Sequence, residues 1–314
     1  MATLDVIMPA FNASKYIEEA IESVLNQTFK DLRLLICDDG STDNTLSIIN
    51  NYAERDDRVK VFKNEKNLGN LLTTNILFAQ CTAKYMGIQD ADDYSALNRF
   101  EVLLNMFAND SQLGMVGSNY ELVNTNKEAI SCSFLPESDA EIKSVMNKEC
   151  IPILYAGVVI RKDVLDKVGG FRPFFNRIGY ADLDWLNRCG ESYKAANSKE
   201  ILYYYRQHDL MFTKKSNISV WTGKKNIVQE FNMNLLLVNA HHTRVKYGND
   251  YFESADLSSM KKYLSEYYIN AAEVHFWEGR IKRSFQSIFT SIRFNPLALK
   301  NYRIMLYICR KSVL

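Results

Sequence analysis

The chain predicts an α/β fold: a Rossmann-like, mostly parallel central sheet with helices on both faces, followed by a C-terminal helical appendage. Three observations carry this. Short apolar runs alternate with helically spaced apolar residues over the first hundred positions. Each strand-like run there ends in a polar cluster rather than a hairpin turn, as βαβ units require. Beyond about residue 216, glycine and proline become rare and apolar residues fall at helical spacing.

The elements follow in order. Leu4 to Met8 reads as a buried strand closed by Pro9, and Ile17, Ala20, Ile21, Val24 and Leu25 mark a helix with Ser14 as its expected cap. Leu32 to Cys37 is a second strand, followed by the turn "DDGSTDNT" and a helix through Leu46, Ile48, Ile49 and Tyr52. Val59 to Phe62, a helix from about Leu71 to Ala79, and a strand from Tyr85 to Ile88 continue the alternation, with right-handed crossovers expected. A helix from Asn98 to Asn109 and a strand at "LGMVGS" come next. Positions 120 to 210 mix short strands, a turn at Gly169-Gly170 and the aromatic run Tyr203-Tyr204-Tyr205. A domain boundary is expected near Ser216, giving domains 1–215 and 216–314. Helices are expected around Phe231 to Val238 and Tyr263 to Ala271. The tail from Ala271 reads as a helix-turn-helix with Gly279 at the turn and Pro296 closing the second helix. It loosely resembles a tetratricopeptide hairpin, but no second copy accompanies it.

At 314 residues with 47% hydrophobic and 24% charged content, the chain is an ordinary globular protein. Its net charge of +1 is unevenly placed. After Gly279 come eight basic residues and no acidic one; with those eight set aside, 30 basic residues face 37 acidic ones. An acidic body gives no reason to expect nucleic acid as a partner. The six cysteines form no CxxC pair, so reduced thiols and a cytoplasmic setting are expected. "MATLDVIMPAFN" lacks the pattern of a secretory signal, and no apolar run reaches the length of a membrane span.

Four polar clusters sit where the strands end: "PAFN", "CDDGSTD", "NEKNLGN" and "QDADD". In open α/β sheets ligands bind at that edge, so the clusters point to one shared site. Asp90, Asp92 and Asp93 crowd three carboxylates into four residues, which is costly unless a cation or hydrogen bonds satisfy them.

Taken in order, "VIMPAFN", "DDGSTDNT", "NLG" with Asn75, "QDADD", "RKDVLDKVGGF", "ADLDWLNR" and "YRQH" resemble the family 2 glycosyltransferases of the GT-A fold over roughly residues 3 to 215. The resemblance implies an enzyme that moves a sugar from a UDP-sugar to a glycan or lipid-linked acceptor hydroxyl with inversion, using Mn²⁺ or Mg²⁺. It places Pro9 and Phe11 beside the uracil with Asn12 in the same loop. Asp39 would lie on the ring N–H, with Asp38 supporting it. Asn67 and Arg99 are assigned to the donor, and Asp90 to the ribose. Asp92 becomes the metal ligand assisted by Asp93, His208 lies near diphosphate and metal, and Asp182 is the catalytic base. Arg206, Lys214 and Lys215 offer further phosphate contacts. Two departures stand out: Ala181 replaces the glutamate that usually precedes the base, and Leu72 replaces a basic residue.

Other classes fit less well. A nucleotidyltransferase would want a Gly-rich basic loop after the first strand, and a metal-dependent phosphohydrolase would want more than four histidines. A non-catalytic nucleotide-sugar-binding or scaffold protein stays open through Ala181. The basic tail, interleaved with Phe285, Ile288, Phe289, Ile292, Leu299, Leu306 and other apolar residues, suits a peripheral membrane contact, or else a helical pair packing on the catalytic domain or on a second subunit.

Overall fold

The structure, a computed structural model, describes residues 2–146, 152–173, 181–208, 265–266, 268–270, 272–273, 276 and 281–312. Two compact units divide the chain, Met1–Lys224 and Lys225–Leu314. The boundary expected near Ser216 and the helices expected around 231–238 and at Tyr263 and Leu264 fall outside the described residues.

The first unit runs β1 (Leu4–Ala10), α1 (Ile17–Leu25), β2 (Leu32–Asp38), α2 (Thr45–Arg55), β3 (Val59–Lys63), α3 (Asn70–Gln80), β4 (Tyr85–Ile88), β5 (Tyr94–Ser95) and α4 (Arg99–Asn109). It continues through β6 (Leu113–Val123), β7 (Ala129–Cys132), α5 (Asp139–Met146), a 3₁₀ turn at Tyr155–Gly157, β8 (Val159–Arg161), α6 (Lys162–Val168), α7 (Ala181–Ser192) and β9 (Lys194–Arg206). The sheet order is β3-β2-β1-β4-β8-β6-β9-β5, with β7 paired to β6. The expected α/β sheet is present: β1 to β4 are mutually parallel, and β9 is parallel to β6.

Alternation along β1 explains the two covered faces. Leu4, Val6 and Met8 join one cluster with Ile17, Ile21 and Val24 of α1, Ile49 of α2 and Phe100 and Leu103 of α4. The pleat sends Asp5 and Ile7 the other way, and α3 packs there against β1 and β2. Asp5 is buried on that side because Arg33 pairs with it at 2.8 Å and the Thr82 and Ala83 N–H groups donate to Oδ2 at 2.7 and 2.9 Å. A buried carboxylate so satisfied ties β2 and the α3–β4 connection to β1.

Two local expectations need correction. β1 does not stop before Pro9 but runs to Ala10. Ile7 bonds toward β4, through the Gln89 N–H, and Ala10 toward β2, through the Asp39 N–H. Pro9 would therefore bond on the β4 side, where β4 has already ended, so its missing donor costs no ladder bond. Ser14 does not cap α1: its N–H donates to Asp43 at 3.2 Å, and the helix start is closed by the Tyr16 and Ile17 N–H groups on the Ala13 carbonyl.

Periodicity did not resolve the short strands β5, β7 and β8, of which β8 matters most to the sheet. Three residues long, it inserts antiparallel between β4 and β6 and joins the parallel half of the sheet to the β6–β9 half.

In the second unit α8 (Ile281–Phe294) and α9 (Leu299–Ser312) pack on helical residues between 265 and 276. Ile269, Ala272, Ile288 and Ile308 form their buried core.

Candidate active site

Because β2, β1 and β4 are adjacent and parallel, the loops after them emerge at one edge. Two pockets of polar structure form there.

The first is built from the loops after β1, β2 and β3. Asn12 adopts φ +49, a conformation Asn tolerates better than most side chains. There its Oδ1 accepts the Thr42 N–H at 2.8 Å, and its own N–H donates to Ser41 Oγ at 2.9 Å. These bonds fasten the first loop to "DDGST" and leave the Phe11 ring 46% exposed. Asp38 and Asp39 are both buried. Asp39 Oδ1 accepts from Asn64 Nδ2 (2.8 Å) and Leu68 N–H (2.9 Å), and Oδ2 accepts from Gly69 N–H (2.9 Å). A carboxylate has about four lone-pair positions, so one acceptor site on Asp39 Oδ2 remains. Asp38 Oδ2 accepts the Ser41 N–H at 3.2 Å, while Oδ1 is buried without a partner among the described residues. Gly40 is required between these loops: its φ is +71, and a Cβ there would stand 2.9 Å from the Lys66 carbonyl carbon. Asn67, also interacting, lies in the loop so held.

The second pocket is the "QDADD" loop after β4. Oxygen atoms of Asp90, Asp92 and Asp93 lie within 4.8 Å of one another. Asp93 is nearly fully buried; Tyr203 OH donates to its Oδ2 at 2.9 Å and the Arg206 N–H to its Oδ1 at 2.8 Å. The structure thus gives Asp93 the task of anchoring the loop to β9. Asp92 is more open, with Oδ2 2.9 Å from His208 Nε2. The His208 ring packs on Tyr16, with ring centroids 4.8 Å apart. Burial, then the charges of Asp92 and Asp182, push the Asp90 pKa up to about 7, and burial and the Asp92 charge push Asp93 well above the ordinary carboxylate value. The group is a set of like charges held together against repulsion. Its all-carboxylate donor set suits a hard divalent cation, so the residues fit Mn²⁺ or Mg²⁺.

Two basic residues assigned to the donor are placed elsewhere. Arg99 is 0% exposed. It donates to Gln89 Oε1 (3.0 Å), Ser95 Oγ (2.7 Å) and the Ile88 carbonyl (2.7 Å), lies over the Tyr203 ring, and burial lowers its pKa to about 10. Its guanidinium therefore supports the acidic loop from beneath instead of meeting a phosphate. Arg206 is similarly spent, on Glu19, on the Asp92 carbonyl at 2.9 Å and on the Tyr16 ring. Lys214 and Lys215 lie outside the described residues. Replacing Arg99 by Leu should cost about 3 kcal/mol or more of stability, because it strands buried acceptors and removes a cation from beneath two acids. Urea denaturation of the variant measures this.

Asp182 sits in the first turn of α7. It is close enough to Asp90 that its charge raises that group's pKa, and its own pKa is raised by burial. Asp184 faces a different set of partners: Arg188 Nε at 3.0 Å, the i, i+4 pair expected from the sequence, and Arg172 Nη1 at 3.3 Å. Arg188 also donates to the Val168 and Gly170 carbonyls at 2.7 Å each, and Trp185 Nε1 to the Gly169 carbonyl at 2.9 Å. Asn75 of α3 completes the clamp by exchanging bonds with the Phe171 main chain at 2.7 and 2.8 Å. The Gly-Gly-Phe turn is thus the block against which the start of α7 is set. Gly170 has no room for a side chain, since a Cβ would lie 2.5 Å from Asn75 Oδ1.

Sequence reasoning missed Tyr155. Its ring packs beside Phe171 and Trp185, with centroids 5.3 and 6.0 Å away, and it faces the charges of both Asp90 and Asp182. Its hydroxyl is shielded, with the Thr74 hydroxyl of α3 as its polar neighbour. No local pattern flags such a residue, because its neighbours come from α7 and the β4 loop.

These features define an α/β protein with a polar loop cluster around Asp38 and Asp39 and an acidic loop whose three carboxylates fit a divalent cation. A family model described as "Glycosyl transferase family 2" matches residues 5–169, and the chain belongs to that family. An uncharacterized glycosyltransferase of Haemophilus influenzae is 33% identical over 165 residues, 49% of this chain and 66% of its own length. The O-antigen biosynthesis glycosyltransferase WbnJ of Escherichia coli is 31% identical over 233 residues, covering 73% of this chain and 88% of that protein. The chain thus spans just under two thirds of the first of these curated relatives and most of the second. Among solved structures, S. aureus TarS 1-349 in complex with UDP-GlcNAc superposes with a TM-score of 0.58 at 16% identity, covering 96% of this chain and 91% of that one. A mannosyltransferase of Pyrobaculum calidifontis in complex with GDP-Man and Mn²⁺ gives a TM-score of 0.54 at 14% identity, over 100% of this chain and 81% of that one. The fold is GT-A. Among the described residues, no helix is long and apolar enough to cross a membrane.

Proposed function

We propose that the chain transfers a sugar from a UDP-sugar to a hydroxyl of a glycan or lipid-linked acceptor, with inversion and with Mn²⁺ or Mg²⁺ as cofactor. The catalytic region is assigned to residues 1–215, and the cytoplasm is the expected setting. The observation that carries the reading is the meeting of Asp90 and Asp92, from the loop after β4, with the charge of Asp182 from α7, at the sheet edge that also holds Phe11 and Asp39. The TarS complex with UDP-GlcNAc and the Mn²⁺ complex of the mannosyltransferase support the donor class and the metal.

In this reading Phe11 packs its exposed ring against the uracil, and the remaining lone pair of Asp39 accepts the ring N–H. Asp92 and Asp90 hold the divalent ion with His208 beside them, while Asp93, Tyr203 and Arg99 keep the loop in place. When bound, the cation neutralises charge on the departing diphosphate. Asp182 takes the proton from the acceptor hydroxyl; a carboxyl whose pKa burial has raised is a better base than an ordinary aspartate. Asp184 cannot substitute, because two arginines already hold it. A single base opposite the leaving group implies inversion.

A panel of UDP-sugars assayed for hydrolysis with and without Mn²⁺ tests the proposal. Metal-dependent turnover of at least one donor is expected. Donor binding without turnover of any kind would support the scaffold alternative that Ala181 keeps open.

A further inference from the structure

The second unit carries a surface that the donor site does not use. Along α9 the inward face is Asn301, Ile304, Met305 and Ile308, all buried or half-buried. A two-helix packing needs only that face to be apolar. Yet the opposite face carries Leu299, Tyr302 and Leu306 beside Arg303 and Arg310, all exposed. Leu299 is 71% and Leu306 66% exposed; Leu297, in the turn before the helix, is 89% exposed, and Phe289 on α8 is 62% exposed. Tyr302 is oriented there by its hydroxyl donating to the Pro296 carbonyl at 2.9 Å.

The charges on these helices have one sign. Lys282, Arg293, Lys300, Arg303, Arg310 and Lys311 are exposed, and no acidic residue occurs after Gly279. No ion pair involves any of these six among the described residues. Large apolar side chains among unpaired cations are unfavourable in water. They match a surface offering anionic headgroups above an apolar layer.

We propose that the outward face of α9, with Leu297 and Phe289, docks on an anionic lipid bilayer. Leu297, Leu299 and Leu306 enter the headgroup–acyl boundary while Arg303, Arg310 and the neighbouring lysines meet lipid phosphates. The inference stands independently of the sugar-transfer reading, since it rests only on residues after Gly279.

The test is flotation of the full chain with phosphatidylcholine vesicles made with and without phosphatidylglycerol. The wild type should float with the anionic vesicles, less so as salt is raised, and stay in solution with pure phosphatidylcholine. Each basic residue at such a surface contributes about fivefold to partitioning, so Arg303→Glu/Arg310→Glu should weaken it by at least about twentyfold. Leu299→Ser/Leu306→Ser should weaken it without altering the preference for anionic lipid. All four side chains are exposed, so both variants should keep the wild-type circular dichroism melt. Equal recovery with both vesicle types, or flotation unchanged in both variants, would overturn the proposal. So would a wild-type oligomer that Leu299→Ser/Leu306→Ser dissociates while no form floats, which would make the face a subunit contact.

Discussion

Asp182→Asn is expected to bind a UDP-sugar nearly as tightly as the wild type and to transfer at least about a hundredfold more slowly, the usual worth of a general base. The amide keeps the shape and the helix position but cannot take a proton at neutral pH. The start of α7, which carries Asp182, is held by the Gly-Gly-Phe clamp through Arg188, Trp185 and Asn75. Asp184→Asn makes the contrasting control. It weakens the hold on Arg172 and Arg188, so its first effect should appear in the thermal melt, with turnover falling only as the clamp loosens. Steady-state kinetics with a donor and acceptor pair separates kcat from KM, and NMR of the product reads its anomeric configuration. Wild-type turnover in Asp182→Asn, or a product retaining the donor's configuration, would refute the assignment.

Asp92→Asn should abolish most metal-dependent turnover and weaken Mn²⁺ binding by at least about tenfold, the scale seen when one supporting group of a metal site is lost. Unlike Asp93, whose oxygens are committed to Tyr203 and Arg206, Asp92 is the more open acid of the loop. Full activity in EDTA would show that the acids serve something else.

The same cluster sets a pH dependence in the metal-free protein. Burial and the neighbouring charges raise the folded Asp90 pKa from 3.8, that of an ordinary aspartate, to about 7, so the folded state holds this proton more tightly than the unfolded one. Between those two values the folded protein binds more protons. Stability therefore falls as pH rises from about 4 to about 7, by about 2–4 kcal/mol from this group. A cation relieves the repulsion, so Mn²⁺ should restore the melting temperature most strongly near and above pH 7 and little at pH 5. A metal-free melt independent of pH over that interval would contradict this account.

Much of this was readable without coordinates. Strand and helix periods placed β1 to β4 and the helices between them. The turn chemistry of "DDGST" and the crowding of "QDADD" marked a site at the strand ends, since alternating βαβ units leave those ends on one edge. The i, i+4 spacing of Asp184 and Arg188 foretold their ion pair. Local pattern succeeds for such features because their causes lie within a few residues of one another.

What only the tertiary structure decided involves partners far apart in the chain. β8 has three residues, too few to show a period, and exists because β4 and β6 each offer it an edge. Arg99 looked like a phosphate ligand beside an acidic loop. The burial of α4 under that loop instead turned its guanidinium onto Gln89, Ser95 and the Ile88 carbonyl. Tyr203 and Arg206 meet Asp93 across more than a hundred residues, because β9 pairs with both β6 and β5 and ends at the acidic loop. Composition revealed the basic tail, whereas its exposed apolar face depended on which side of α9 the core covered. A side chain's chemical type is local information; its partner is set by which strands and helices pack together, and that is a property of the folded chain.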